Sequence, residues 1–321
     1  MYGILFSMND KYFNQAINWE TLLLASSNNK DLVESIWQNN QAYFATPMLI
    51  NFSHFATLLS IKTYELSKIY YKVRESFESL PDETIILSEN DERWPSRINN
   101  FPYCPKFIYC LGDIELLKKK IIIIAGTKSP TPEDKLSVTK SVEAFVKNEI
   151  VIATGLSLGI EGLASAESIK HFAPTIAVIG TSLNEYYPIN HEKLQSFIAE
   201  QGGVVVTMTP PSSAPQNFKF NFLLRNRLLI ALSNALLIID ERDRGASVKM
   251  AEVALMNSRK VYFYSSLLKQ KDLNWPLIMR DRVNVKVVRY PGNLVRDLLG
   301  VKTSKSIKAK KEIKSKQLSL F

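Results

Sequence analysis

Six short apolar runs rich in β-branched residues, at 121–124, 151–153, 175–179, 204–206, 236–239 and 261–264, constrain this chain more than any other feature. They lack the polar alternation of half-exposed strands and read as strands buried on both faces. Between them lie segments with helical spacing, at 133–148, 162–171, 192–201, 225–233 and 248–257. Strand and helix alternating in this way predict an α/β fold built on a doubly wound parallel sheet. Thr131-Pro132-Glu133-Asp134 marks one helix start, with a threonine cap, proline at the first helical position and acids facing the positive end of the dipole. A last strand at 283–288 and a short helix at 294–299 close the globular part.

Upstream, from about residue 14 to 80, apolar residues recur at three and four, which predicts a small helical unit. The stretch 91–112, with Trp94, Pro95, Pro102, Pro105 and Tyr109, reads as a mostly irregular, packed connector. From 302 to 316 the chain is Lys, Ser, Ala, Thr and Ile with one acid, too polar to fold alone, so a flexible basic tail is expected. The organisation is then a helical N-terminal domain at 1–85, the sheet domain with its entry segment at 86–301, and the tail at 302–321. The chain ends on Gln317-Leu318-Ser319-Leu320-Phe321, where two leucines and a phenylalanine on a solvated tail call for a binding partner.

Forty Lys and Arg against 31 Asp and Glu give a formal charge of +9, which favours a polyanionic partner. Cys104 and Cys110, with His54, His171 and His191, are too sparse for a structural zinc site. No apolar run reaches the roughly 18 residues of a membrane span and no secretory signal pattern is present, so a cytoplasmic protein without membrane attachment is expected.

Enzyme signatures are missing. Ala125-Gly126-Thr127-Lys128 has one glycine where a dinucleotide fingerprint has three, and there is neither a Gly-Lys-Ser/Thr loop nor a Gly-x-Ser-x-Gly elbow. No cofactor and no catalysis are expected. Three polar loops at strand carboxyl ends remain, where open α/β sheets bind ligands. Gly126-Thr127-Lys128 reads either as a phosphate approach or as an ordinary turn. Thr154-Gly155-Leu156-Ser157-Leu158-Gly159 reads either as an anion nest at a helix start or as tight packing. Arg225-Asn226-Arg227 opens an apolar helix, and two guanidiniums at a helix N-terminus call for an anion. The run Phe218-Lys219-Phe220-Asn221-Phe222 before it suits base stacking, with core packing the stronger reading for the phenylalanines.

In order along roughly 170 residues, these motifs resemble the DNA-processing protein A family, DprA or Smf. Asp91-x-x-Trp94-Pro95-x-x-Ile98 with Pro105-x-x-Ile108-Tyr109-x-x-Gly112 is similar to its entry segment. Gly126-Thr127-Lys128 is similar to its Gly-Ser-Arg turn, and 154–161 to its Ser-Gly-Leu-Ala-x-Gly-Ile-Asp loop. Residues 175–180, Tyr187-Pro188-x-Asn190, Phe222-x-x-Arg225-Asn226-Arg227 and Gly245-Ala246-Ser247 complete the series. The resemblance implies a Rossmann-like domain that binds single-stranded DNA, a homodimer, and delivery of the RecA recombinase. It implies phosphate contacts from Lys128, Arg225 and Arg227, and backbone approach at Gly126, Gly155, Ser157 and Gly159. Departures are Lys128 for arginine, Leu158 where a basic residue is common, Glu161 for aspartate, Ser165 for histidine, and Ser265-Ser266 for Pro-Gly. They leave open a weaker DNA pocket or one retuned for another ligand.

Gln317 to Phe321 resembles the short motif with which bacterial replication and repair proteins dock on the DNA polymerase sliding clamp, with glutamine in a polar pocket and Leu320 and Phe321 in an apolar one. The first reading is therefore a single-strand binder tethered to the clamp, acting in DNA processing, uptake, recombination or response to foreign DNA. A second is a regulatory antitoxin of a phosphoribosyltransferase toxin in an anti-phage pair. A third, a nucleotide hydrolase or phosphoribohydrolase, lacks the Pro-Gly-Gly-x-Gly-Thr loop and acidic base of those enzymes.

Overall fold

The computed structural model describes residues 12–99, 101–102 and 104–301. Five helices come first: α1 (Phe13–Ala25), α2 (Lys30–Asn39), α3 (Gln41–Phe44), α4 (Phe52–Leu59) and α5 (Thr63–Glu78). Strands β1 (Ile85–Ser88) and β2 (Phe107–Gly112) follow. The remainder alternates: β3 (Ile121–Ala125), α6 (Pro132–Val146), β4 (Val151–Thr154), α7 (Ile160–Lys170), β5 (Thr175–Val178), α8 (Glu192–Glu200), β6 (Val204–Thr207), α9 (Phe218–Leu232), β7 (Ala235–Ile238), α10 (Ala246–Met256), β8 (Lys260–Tyr264), α11 (Trp275–Met279), β9 (Val285–Val288) and α12 (Pro291–Leu298).

The nine strands form one sheet in the order β1-β2-β6-β5-β4-β3-β7-β8-β9. β3 to β9 are mutually parallel, the Rossmann-like arrangement expected, and the order reverses between β3 and β7. Two strands correct the sequence reading. β2 lies inside the stretch read as an irregular connector, pairs antiparallel with β6, and is itself paired by β1. The prolines around 95–105 obscured a six-residue strand that is apolar for the same reason as the others, its first four residues being buried.

β3 explains the absence of polar alternation. Ile121, Ile123 and Ala125 enter the core beneath α9 and α10, whereas Ile122 and Ile124 enter the core beneath α6, α7 and α12. All five are fully buried. Each isoleucine contributes about 1.5–3 kcal/mol of transfer free energy, so a polar residue anywhere in the strand is costly. The Thr131 cap is formed as expected, a reciprocal capping box with Asp134 and with Pro132 in the first turn.

The N-terminal helices do not stand apart from the sheet. Trp19, Leu22, Trp37, Phe44 and Phe77 share one apolar cluster with Ile86, Phe107 and Tyr109 of β1 and β2 and with Val205 of β6. At this seam Lys106 lies 5.2 Å from the Trp19 ring and 5.0 Å from the Trp37 ring, and pairs with Glu34 and Glu89 at 2.9 and 2.8 Å. Among the described residues no helix is long and apolar enough to cross a membrane. The basic tail and Gln317–Phe321 lie outside the described residues.

Candidate nucleic-acid interface

The reversal of strand order between β3 and β7 is where a crevice is expected in this architecture. Here it is bridged. Thr127 N–H donates to the Asp240 carbonyl at 2.7 Å, and a Cβ on Gly126 would lie 2.6 Å from that same oxygen. The open cleft lies beside it, lined by Lys128, Gly155, Ser157, Leu158, Tyr187, Pro188 and Phe222. It is shaped by the loops after β3, β4 and β5 together with the start of α9.

The loop after β4 is held from three sides. Gly159, at φ +81°, has no room for a side chain, because a Cβ there would lie 2.4 Å from the Thr127 carbonyl oxygen. Ile160 N–H donates to that carbonyl at 3.1 Å, and His191 Nδ1 donates to the Leu156 carbonyl at 2.8 Å. The loop's N–H groups at Gly155 and Ser157 converge as an anion nest would, but on an anion the chain supplies. Glu161 Oε2 accepts from both, at 3.0 and 3.2 Å.

Arg225 completes this arrangement from α9. Its Nη1 lies 3.3 Å from Glu161 Oε2 and its Nη2 donates to Ser157 Oγ at 3.3 Å, with the side chain only 5% exposed. The sequence reading placed Arg225 at a helix N-terminus. α9 instead begins at Phe218, two turns earlier, and Arg225 sits mid-helix with a carboxylate already in place. The three-residue turn Pro215–Asn217 leads directly into Phe218, so the aromatic run is the first part of the helix. Asn226 is half-buried, with an Oδ1 that has no hydrogen-bond partner among the described residues. Arg227, half-buried, lies about 200° around the helix axis from Arg225, so the two side chains leave opposite faces of α9.

Lys128, Gly155 and Ser157 are therefore brought together at the cleft, with Gly126, Thr127 and Gly159 supporting its walls. Residues read as less telling line it too. Phe218 and Phe220 are exposed, so the core reading of those two rings is overturned, whereas Phe222 is half-buried against Gly180. Tyr187 meets Phe218 at 4.9 Å and Phe222 at 5.1 Å between ring centroids, both edge to face. Tyr187 is 48% exposed and Leu158, which also lines the cleft, 42%. Lys128 is exposed as well. Ser165 is buried, its hydroxyl 2.8 Å from that of Thr154 under the β4 loop. An alternation of aromatic and basic residues pointed toward Phe218 and Phe222; Tyr187 stood in the motif Tyr187-Pro188-x-Asn190 without being read as a cleft residue, and it arrives from the loop after β5.

The family model described as DNA recombination-mediator protein A matches residues 85–275. The DNA processing protein DprA of Streptococcus pneumoniae is 28% identical over 188 residues, 59% of this chain and 64% of that protein. Its Bacillus subtilis counterpart is 28% identical over 200 residues, 62% of this chain and 66% of that protein. The chain thus spans just under two thirds of the length of these relatives. The crystal structure of the S. pneumoniae protein superimposes with a TM-score of 0.67 at 22% identity, covering 88% of this chain and 96% of that one, a likeness of fold. DNA processing protein A from Helicobacter pylori, a structure described for its unique single-stranded DNA binding mode, matches with a TM-score of 0.59 at 26% identity over 69% of this chain and 98% of that one.

Proposed function

Because the chain belongs to the DNA recombination-mediator protein A family, we propose that it binds single-stranded DNA in the cleft between Lys128, Leu158 and Tyr187 and performs no covalent chemistry. The observation that carries this reading is the pairing of exposed aromatic rings, Tyr187 and Phe218, with the exposed Lys128 at the sheet's carboxyl edge. Unpaired bases have two faces free for stacking, worth about 1–3 kcal/mol per base, and a duplex hides them. The relative from H. pylori, described for binding single-stranded DNA, supports the same assignment.

In this reading the strand runs across Tyr187 and Phe218 with bases toward the rings. Lys128 and Lys219 lie along the phosphate side, while Arg225 shapes the wall rather than touching the strand. The protein then acts in DNA processing or recombination in the cytoplasm, as a homodimer that passes strands to the RecA recombinase, with Gln317–Phe321 as its tether to the sliding clamp. Binding of a labelled single strand, of the matching duplex and of purified clamp tests these parts separately. Single-strand preference is expected to survive deletion of 317–321, and clamp binding is expected to be lost with it. A chain that binds no DNA but captures a phosphoribosyltransferase toxin would replace this reading with the antitoxin.

A further inference from the structure

Two loops at the carboxyl edge of the sheet are closed by glutamates of the chain itself. At the start of α7, Glu161 Oε2 takes the N–H groups of Gly155 and Ser157 and faces Arg225 Nη1 at 3.3 Å. At the start of α10, Glu241 Oε1 accepts from Arg242 N–H at 3.0 Å and Oε2 from Ser247 N–H at 3.1 Å. Both glutamates are buried, at 6% and 8% exposure.

The donors around Glu161 are those that hold a phosphate in other parallel sheets: converging N–H groups of a glycine-bearing loop, a helix N-terminus and a guanidinium. The guanidinium also keeps donor capacity beyond its pair with Glu161. Arg225 Nε is buried and has no hydrogen-bond partner among the described residues. We propose that Glu161 is an internal phosphate surrogate: it holds the β4 loop in its binding shape and, by filling the nest, excludes free phosphate and nucleotides from the sheet edge. It is thus a specificity-determining residue, and a ligand of this edge must be recognised by something other than a terminal phosphate. The inference stands whether or not the cleft binds DNA.

Inorganic phosphate is the probe. Glu161→Ala empties the nest, and about 20 mM phosphate is expected to raise its melting temperature by several degrees over chloride of equal ionic strength, with less than about one degree for the wild type. Adding Arg225→Ala to that variant is expected to remove the response. Glu161→Gln, which fills the same space without charge, is expected to show none. If Glu161→Ala is unfolded in chloride, phosphate is expected to restore its native circular dichroism. Equal phosphate responses in wild type and Glu161→Ala would overturn the proposal, as would a Glu161→Ala variant that phosphate neither stabilises nor refolds.

Discussion

The Arg225 guanidinium occupies the space in which a side chain on Gly155 would begin: a Cβ built on Gly155 would lie 1.1 Å from Arg225 Nη1. The glycine is thus a packing requirement of the buried ion pair with Glu161, and any larger residue must expel the guanidinium. Gly155→Ala is expected to destabilise the protein by about 2–4 kcal/mol, combining overpacking with a disrupted buried pair. Urea denaturation of the variant against wild type checks this. A change below about 0.5 kcal/mol would mean that Arg225 is free to move.

At the cleft, aromatic and basic residues are expected to separate in their effects. Tyr187→Ala and Phe218→Ala should each weaken single-strand binding by about 1–3 kcal/mol while leaving its salt dependence unchanged. Lys128→Ala should instead lower the slope of log affinity against log salt by about 0.7. A salt titration of the three variants distinguishes stacking from phosphate contact; a slope that falls with Tyr187→Ala would put the backbone on the ring side.

The seam between the helices and the sheet is expected to respond to pH through Glu20. Glu20 is half-buried, and burial pushes its carboxyl pKa up to about 8. The unfolded chain releases this proton near 4.5. Between these values the folded state holds a proton that the unfolded state has lost, so stability should fall as pH rises from about 4.5 to about 8, by at most about 1.4 kcal/mol per unit. Glu20→Gln should flatten that decline, as followed by urea midpoints across the range.

Lys106 holds the same seam by charge and ring contacts together. Its side chain is 8% exposed between Trp19, Trp37, Glu34 and Glu89. Lys106→Ala should cost about 2 kcal/mol and change tryptophan fluorescence, because both indoles lose the cation. Lys106→Arg should keep most of the stability. Equal loss in the two variants would show that packing of the lysine stem matters more than the charge.

Much of the sheet was legible because β3 and its neighbours are buried on both faces, which writes unbroken apolar runs into the sequence. β2 was not, because prolines on its approach resemble loop chemistry whereas its pairing with β6 is set far away in the chain. The loops at 126–128 and 154–159 were legible as glycine-bearing strand ends. The role of Arg225 was not: its ion pair with Glu161 joins positions 64 residues apart, and its place within α9 depended on two helical turns hidden in an aromatic run. Phe218 and Tyr187 stood in separate motifs, but their contact did not show, since it joins the loop after β5 to the first turn of α9 and leaves no local pattern.

The central claim is a preference for unpaired bases at the Tyr187 and Phe218 rings. Fluorescence anisotropy of a labelled single strand of about 30 nucleotides against the matching duplex, at low and moderate salt, tests it most directly. The account predicts tighter binding of the single strand at both salt concentrations, by about tenfold or more, and loss of that margin in Tyr187→Ala. Equal affinity for single strand and duplex, or a margin untouched by Tyr187→Ala, would contradict it.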